Sequence, residues 1–243
     1  MQHEAHKQAE IESKEEFLRL GQTFVFRKPF GPEWDSHNWV KWATIAEILH
    51  RLRVPAGSTV LDVGCGPGWT SLFLAEAGFV PTGIDIAPTF VEQARSWARR
   101  WNSAASFEVC DMDSFSFPQQ FDAAIVFDAL HHSTRQRDVV SSIARSVRTG
   151  GWVVFGEPSW LHNVSPAARR VHRQTGWVER GVTLRGLKSD CRAAGLGNFR
   201  RFFEGTRPYE RRLREFGWQL VRLVAANVAV APQASIWLVA QKL

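Results

Sequence analysis

Residues 60–68 read VLDVGCGPG, an apolar run that meets an acid and then breaks into three glycines within five positions. Aliphatic and β-branched residues bounded by turn formers predict a buried strand over 59–63. Residues 69–77 (WTSLFLAEA) continue without a breaker and predict a helix. Strand, glycine turn and helix make a unit in which a ligand can approach the backbone closely, next to a helix end that favours negative charge.

The same rhythm continues outward. Apolar runs at 81–86, 106–111, 121–127 and 152–156 predict four more strands, and helices are predicted at 88–101 and 136–148. Short apolar strands separated by helices imply a parallel sheet buried on both faces. Gly78, the pair Gly150-Gly151 and Gly195 read as left-handed caps at helix ends. Upstream, Trp39, Trp42, Ile45, Ala46 and Leu49 recur at helical spacing and predict a helix over 36–53. Residues 1–20 read as a frayed tail leading into a short helix, with Ser13 and Glu16 spaced as a capping box before Phe17 and Leu18. Beyond 158 the pattern loosens. A mixed aromatic and basic insertion at 159–182 precedes a helix at 183–194, a strand at 199–204, a basic amphipathic stretch at 209–225 and a last strand at 236–241.

The 243 residues are enough for one sizeable core, so a single domain is expected: an N-terminal helical arm or lid (1–55), a core (56–158), and insertions with the C-terminal strands (159–243). No apolar run reaches membrane-span length and the N-terminus is too polar for a signal peptide, which gives a cytoplasmic expectation. Three scattered cysteines, Cys65, Cys110 and Cys191, support neither a disulfide framework nor a zinc site. The net charge of +6 is concentrated at Arg169-Arg170, Arg200-Arg201 and Arg211-Arg212-x-Arg214, which suits an anionic partner or a solvated helix face.

Acids mark the strand ends. Asp62 precedes the glycine loop, Asp85 follows about twenty residues later where it can accept two ribose hydroxyls, and Asp111 could accept an adenine amino group. Acids at three consecutive strand ends point to an adenosine across the carboxyl edge of the sheet. A dinucleotide fingerprint needs glycine at its third position, where this chain has Trp69, with Gly68 one residue early. Asp62 at the loop mouth would repel a pyrophosphate but attract a cationic amino acid. Adenosine plus an ammonium group describes S-adenosylmethionine.

The ordered set VLDVGCGPGWTSLFLAEAG, GIDIAP, CDMDSFSFP, FDAAIVFDALHHS and VRTGGWVVFGEP, across roughly 55–160, resembles the class I, Rossmann-like methyltransferases, in particular their small-molecule type 11 group. The resemblance implies a mostly parallel, seven-stranded α/β sheet with helices on both faces and an antiparallel last strand. It implies that Gly64, Cys65 and Gly66 face the methionine part, that Asp85 with Ile86 holds the ribose, that Asp111 with Met112 meets the adenine, and that Phe127 lies beside the sulfonium.

Methyl transfer is an in-line displacement at an activated carbon and needs a base only for a poorly acidic nucleophile. Asp128, His131 and His132 follow strand four, and either histidine, His132 before His131, is the candidate base. No metal site is predicted, and the pair best placed to share a divalent ion is Asp128 with Glu157. Trp34, Trp39 and Trp42 are candidates for an aromatic lid, with Trp39 as a substrate contact. His162, His172, Trp177 and Arg180 in the insertion are the other substrate candidates, and Glu179 lies among them. The expected acceptor is a small molecule, a sugar, polyketide or lipid-linked glycan, methylated on oxygen. DNA is not an expected partner. RNA methylation along the basic C-terminal third is disfavoured because strand four lacks an NPPY or DPPY signature. A non-catalytic cofactor-binding scaffold and peripheral membrane contact through 209–225 are the remaining readings.

Overall fold

The computed structural model describes residues 2–19, 36–118, 120–176, 180–202 and 235–243. Strand β1 (Thr59–Val63) lies third, beside the central strand, in a seven-stranded sheet ordered β3-β2-β1-β4-β5-β7-β6. The others are β2 (Val80–Asp85), β3 (Ser106–Val109), β4 (Phe121–Phe127), β5 (Val147–Pro158), β6 (Leu196–Phe202) and β7 (Ser235–Lys242). All pairs from β3 to β5 are parallel, and β7 runs antiparallel to both β5 and β6. The fold is the expected Rossmann-like α/β sheet with helices on both faces.

Strand alternation divides the apolar residues. Leu61, Val63, Ala124, Val126, Val153 and Phe155 face a cluster with Val139, Val140 and Ile143 of helix α5 (Gln136–Ser146) and Leu187 of α7 (Leu184–Ala193). Their neighbours Val60, Ala123, Ile125 and Val154 face Ile45, Ile48 and Leu49 of α2 (Ser36–Arg51) and Leu74 of α3 (Trp69–Glu76). With two buried faces the strands read as continuous apolar runs. A third cluster joins Val91, Ala94 and Ala98 of α4 (Pro88–Trp101) to Cys65 and Phe107.

Several boundaries differ from expectation. The chain begins with an 18-residue helix, α1 (Gln2–Arg19), rather than a frayed tail. The predicted capping box is not formed, because Ser13 lies inside that helix and its hydroxyl donates back to the Glu10 carbonyl at 3.0 Å. Helix α5 stops at Ser146, so Gly150-Gly151 is no helix cap; Gly150, at φ +81°, lies within β5. Strand β3 ends at Val109, where its pairing with Asp85 of β2 ends, and Asp111 sits in the following loop. The insertion contains a 3-10 turn (Trp160–Val164) and helix α6 (Pro166–Thr175). The predicted stretch at 209–225, the last two residues of the strand at 199–204, Trp34, Trp177 and Glu179 lie outside the described residues. Among the described residues, no helix is long and apolar enough to cross a membrane.

Candidate functional site

Strand order reverses between β1, whose next strand β2 lies on one side, and β4, on the other. The crevice beyond the carboxyl ends of those strands is where open α/β sheets place ligands. A cavity of about 1220 Å³, counted with the space that opens to solvent, lies there. Ten of the residues singled out in the sequence line it: Gly64, Cys65, Gly66, Asp85, Ile86, Asp111, Met112, Phe127, Asp128 and His132.

The floor is the glycine loop. Gly64 has φ +72°, and a Cβ on it would stand 2.4 Å from the Ala129 Cβ, so only glycine lets the loop pass beneath the turn after β4. Gly68, at φ +86°, is the N-cap of α3, and a Cβ there would meet Ala94 at 2.6 Å and the Phe107 ring at 2.8 Å. Four loop amides are already committed: Gly64 and Cys65 N–H donate to the Ile84 carbonyl, Gly68 N–H to Cys65, and Gly66 N–H to the Asp85 carboxylate. The loop thus offers close approach rather than an anion nest, which fits a ligand without phosphate better than a pyrophosphate.

Asp62 is not at the loop mouth. It is 2% exposed, lies behind the loop, and accepts the Ser71 hydroxyl of α3 at 2.6 Å. Burial pushes its carboxyl up to about 6, against the Ser71 hydrogen bonds. The expectation that its charge faces a cationic ligand is corrected: Asp62 ties β1 to α3.

Asp85 ends β2 with its carboxylate inward. Its Oδ2 accepts Gly66 N–H at 3.0 Å, and its Oδ1 accepts Ala87 N–H at 2.9 Å and Lys14 Nζ at 3.2 Å. Asp111 is bound by Lys7 Nζ, which also lies 3.3 Å from Asp113 Oδ2. Asp113 accepts the Ser133 hydroxyl at 2.6 Å. The wall over these acids is α1, which contributes His6, Lys7, Glu10 and Lys14 to the cavity. Burial raises the Glu10 carboxyl, but Lys14 and His132 outweigh it and leave the group below the ordinary glutamate range. These α1 residues were missed in the sequence. Their spacing of three and four residues on one helix face was the available signal.

The turn after β4 is built around Glu157, which is fully buried in β5. Its carboxylate accepts Ala129 and Leu130 N–H at 3.0 Å each, His131 N–H at 3.3 Å, and His131 Nδ1–H at 2.9 Å. This bracket holds a 3-10 turn (Leu130–His132) that turns His131 inward and leaves His132 on the cavity. One expectation changes: His131, 4% exposed and bound to Glu157, braces the turn and does not line the cavity, where His132 does. The Glu157 carboxylate is turned to those four donors. Among the described residues no group of three or more His, Cys, Asp or Glu side chains could hold a metal. Asp128, at φ +53°, lies 3.5 Å from Lys41 Nζ, which is itself 5.2 Å from the Phe127 ring centroid.

The substrate candidates among the described residues, Trp39, His162, His172 and Arg180, do not line this cavity. Trp39 stacks on Phe73 of α3 at 6.0 Å, and Trp42 lies tilted against the same ring at 5.2 Å, so both pack α2 against α3. His162 meets the His131 ring edge-on at 5.6 Å. His172 is exposed on α6, and Arg180 is exposed with its backbone N–H donating to the His131 carbonyl at 2.7 Å.

Residues 60–151 match a family described as a methyltransferase domain. A ubiquinone biosynthesis O-methyltransferase of Thiobacillus denitrificans is 32% identical over 135 residues, covering 49% of this chain and 57% of that protein. The 27-O-demethylrifamycin SV methyltransferase of Amycolatopsis mediterranei is 31% identical over 180 residues, covering 67% of this chain and 64% of that one. The chain thus spans 57% and 64% of the length of these two relatives. The crystal structure of the YcgJ protein from Bacillus subtilis superposes with a TM-score of 0.64 at 18% identity, covering 82% of this chain and 98% of that one. The sheet order, the glycine floor and the sequence match agree: residues 60–151 match the methyltransferase domain family and lie in a sheet of Rossmann-like order.

Proposed function

We propose that the chain transfers a methyl group from S-adenosylmethionine to an oxygen of a small molecule, a sugar, polyketide or lipid-linked glycan. The observation that carries this reading is one cavity lined at once by the glycine loop, Asp85, Asp111, Phe127 and His132. Both relatives are named for methyl transfer at oxygen, which supports oxygen as the acceptor atom.

In this reading Asp85 accepts the ribose hydroxyls, Asp111 with Met112 meets the adenine, and Gly64, Cys65 and Gly66 run under the methionine part. Asp62 and Trp39 have no direct role. When bound, the cofactor supplies a methyl carbon activated by positive sulfur. Phe127 stands at that end of the cavity with Trp69 edge-on at 5.8 Å, and an aromatic face there favours a cation while excluding water. His132 takes the proton from the acceptor hydroxyl, held in place by the turn that Glu157 braces. Asp128 lines the same end of the cavity and holds Lys41 by its carboxylate.

Positioned bases are worth about 10²–10⁴ in rate, so His132→Ala should lower turnover at least ~10-fold while S-adenosylhomocysteine affinity stays within about twofold. A labelled-methyl screen over sugar, phenolic, lipid and RNA fractions supplies the substrate for that assay. Label passing to RNA alone would overturn the small-molecule reading, and unchanged turnover in His132→Ala would remove the base.

A further inference from the structure

The carboxylate of Asp85 has about four acceptor positions, two on each oxygen. Ala87 N–H and Lys14 Nζ take both positions on Oδ1, and Gly66 N–H takes one on Oδ2. A ribose diol needs one position on each oxygen. Only Oδ2 has one to give, so Lys14 sits on the bond that the second hydroxyl requires.

Lys14 also takes up space. Its side chain is 8% exposed, and Nζ lies 5.0 Å from the centroid of Phe90, another cavity wall. Half a helix away, Lys7 holds Asp111 and Asp113. Lys7, Glu10 and Lys14 lie on one face of α1, and Glu10 binds Lys14 at 2.8 Å, keeping it aimed at Asp85. Burial would lower the Lys14 pKa, but Asp85 and Glu10 overcome it and hold the ammonium charged.

We propose that Lys14 and Lys7 are affinity-determining residues: α1 is a latch whose lysines compete with the cofactor's ribose for Asp85 and with its adenine amine for Asp111. The proposal rests on the reading of those acids as adenosine contacts. Cofactor entry then requires α1 to withdraw, and its apparent affinity is reduced by the fraction of molecules in which α1 is latched. The acids that bind adenosine also bind the helix that excludes it.

The test measures S-adenosylhomocysteine binding by titration calorimetry in the full chain, together with amide hydrogen exchange. Lys14→Met keeps the apolar stem against Phe90 and removes the competing charge. It should tighten binding roughly five- to tenfold, as for a latch closed in about 80–90% of molecules, while Lys14→Arg stays near wild type. In the wild-type protein, the same ligand should speed exchange across residues 4–16 and slow it at 64–68. Weaker or unchanged binding in Lys14→Met overturns the competition. So does slowed exchange in α1, which would mean that the helix closes on the ligand; this readout needs no variant and decides the matter should Lys14→Met fail to fold. Asp85→Asn in the Lys14→Met background, where no latch remains on that acid, separates the two levels: if it leaves affinity unchanged, the ribose assignment itself is wrong, whereas weakened binding there with no gain in Lys14→Met alone defeats the latch alone.

Discussion

Replacing Glu157 by glutamine probes the bracket that aims His132, because it changes one oxygen for an NH2 group at nearly constant volume. In the wild type both oxygens accept: Oε1 takes two backbone N–H groups at 3.0 Å, and Oε2 takes His131 N–H at 3.3 Å and Nδ1–H at 2.9 Å. A glutamine can keep its oxygen on Ala129 and Leu130, but its NH2 then faces two donors. The imidazole escapes by moving its proton to Nε2 and accepting through Nδ1. The His131 backbone N–H has no such escape and loses its acceptor. Two hydrogen bonds drop from charge-assisted to neutral, about 1 kcal/mol each, and one buried N–H loses its partner for about 1–2 kcal/mol more, so the expected loss is about 3 kcal/mol. At this chain length that corresponds to a fall in Tm of roughly 6–12 °C. Urea unfolding followed by tryptophan fluorescence at neutral pH measures it. A Glu157→Gln protein within about 0.5 kcal/mol of wild type would show that the carboxylate does not hold the turn.

Two further stability outcomes follow from burial. The Asp62 carboxyl titrates near 6 in the folded chain against an ordinary value of 3.8, so the native state holds that proton more tightly than the unfolded chain; the stabilisation is fully present below about 4 and lost as pH rises through 6. Asp62→Asn lacks this titration, so between pH 4 and 7 its unfolding free energy should gain on wild type by up to about 3 kcal/mol, and parallel pH profiles would contradict the assignment. Gly156→Ala places a methyl 2.5 Å from the fully buried Trp237 ring and should cost about 1–3 kcal/mol in thermal or urea melts, with no cost refuting the tightness of that contact.

Much of the sheet is legible in the chain. The runs around Leu61, Ile84 and Ile125 are apolar enough, and short enough, to be strands buried on both faces, and the acid at Asp85 appears where a strand ends. The floor of the site is legible for the same reason, since Gly64 and Gly68 answer local steric demands. Helix α1 is not. Its sequence is mostly polar, and the contacts that hold it join Lys14 to an acid 71 residues away and Lys7 to one 104 away, which no local pattern reports. The roles of His131 and His132 were equally hidden. Adjacent in sequence and alike in chemistry, they are sorted by a carboxylate 26 residues downstream. Trp39, His162 and Arg180 mark the other limit, because an aromatic or basic residue near a site carries no record of which way it faces.

The position of β7 has a consequence for how the protein assembles. This strand is the last of the seven in the chain, yet it is wedged between two earlier ones and pairs Gln241 with Trp152 on one side and Leu238 with Arg201 on the other. Until it arrives, β5 presents an open edge and β6 has no partner in the sheet. Closing the sheet is therefore a non-local, late event, of the kind that slows folding. Synthesis must deliver residues 235–242 before Trp237 can stack on Phe127, so the wall behind the proposed methyl site is among the last parts of the protein to be completed.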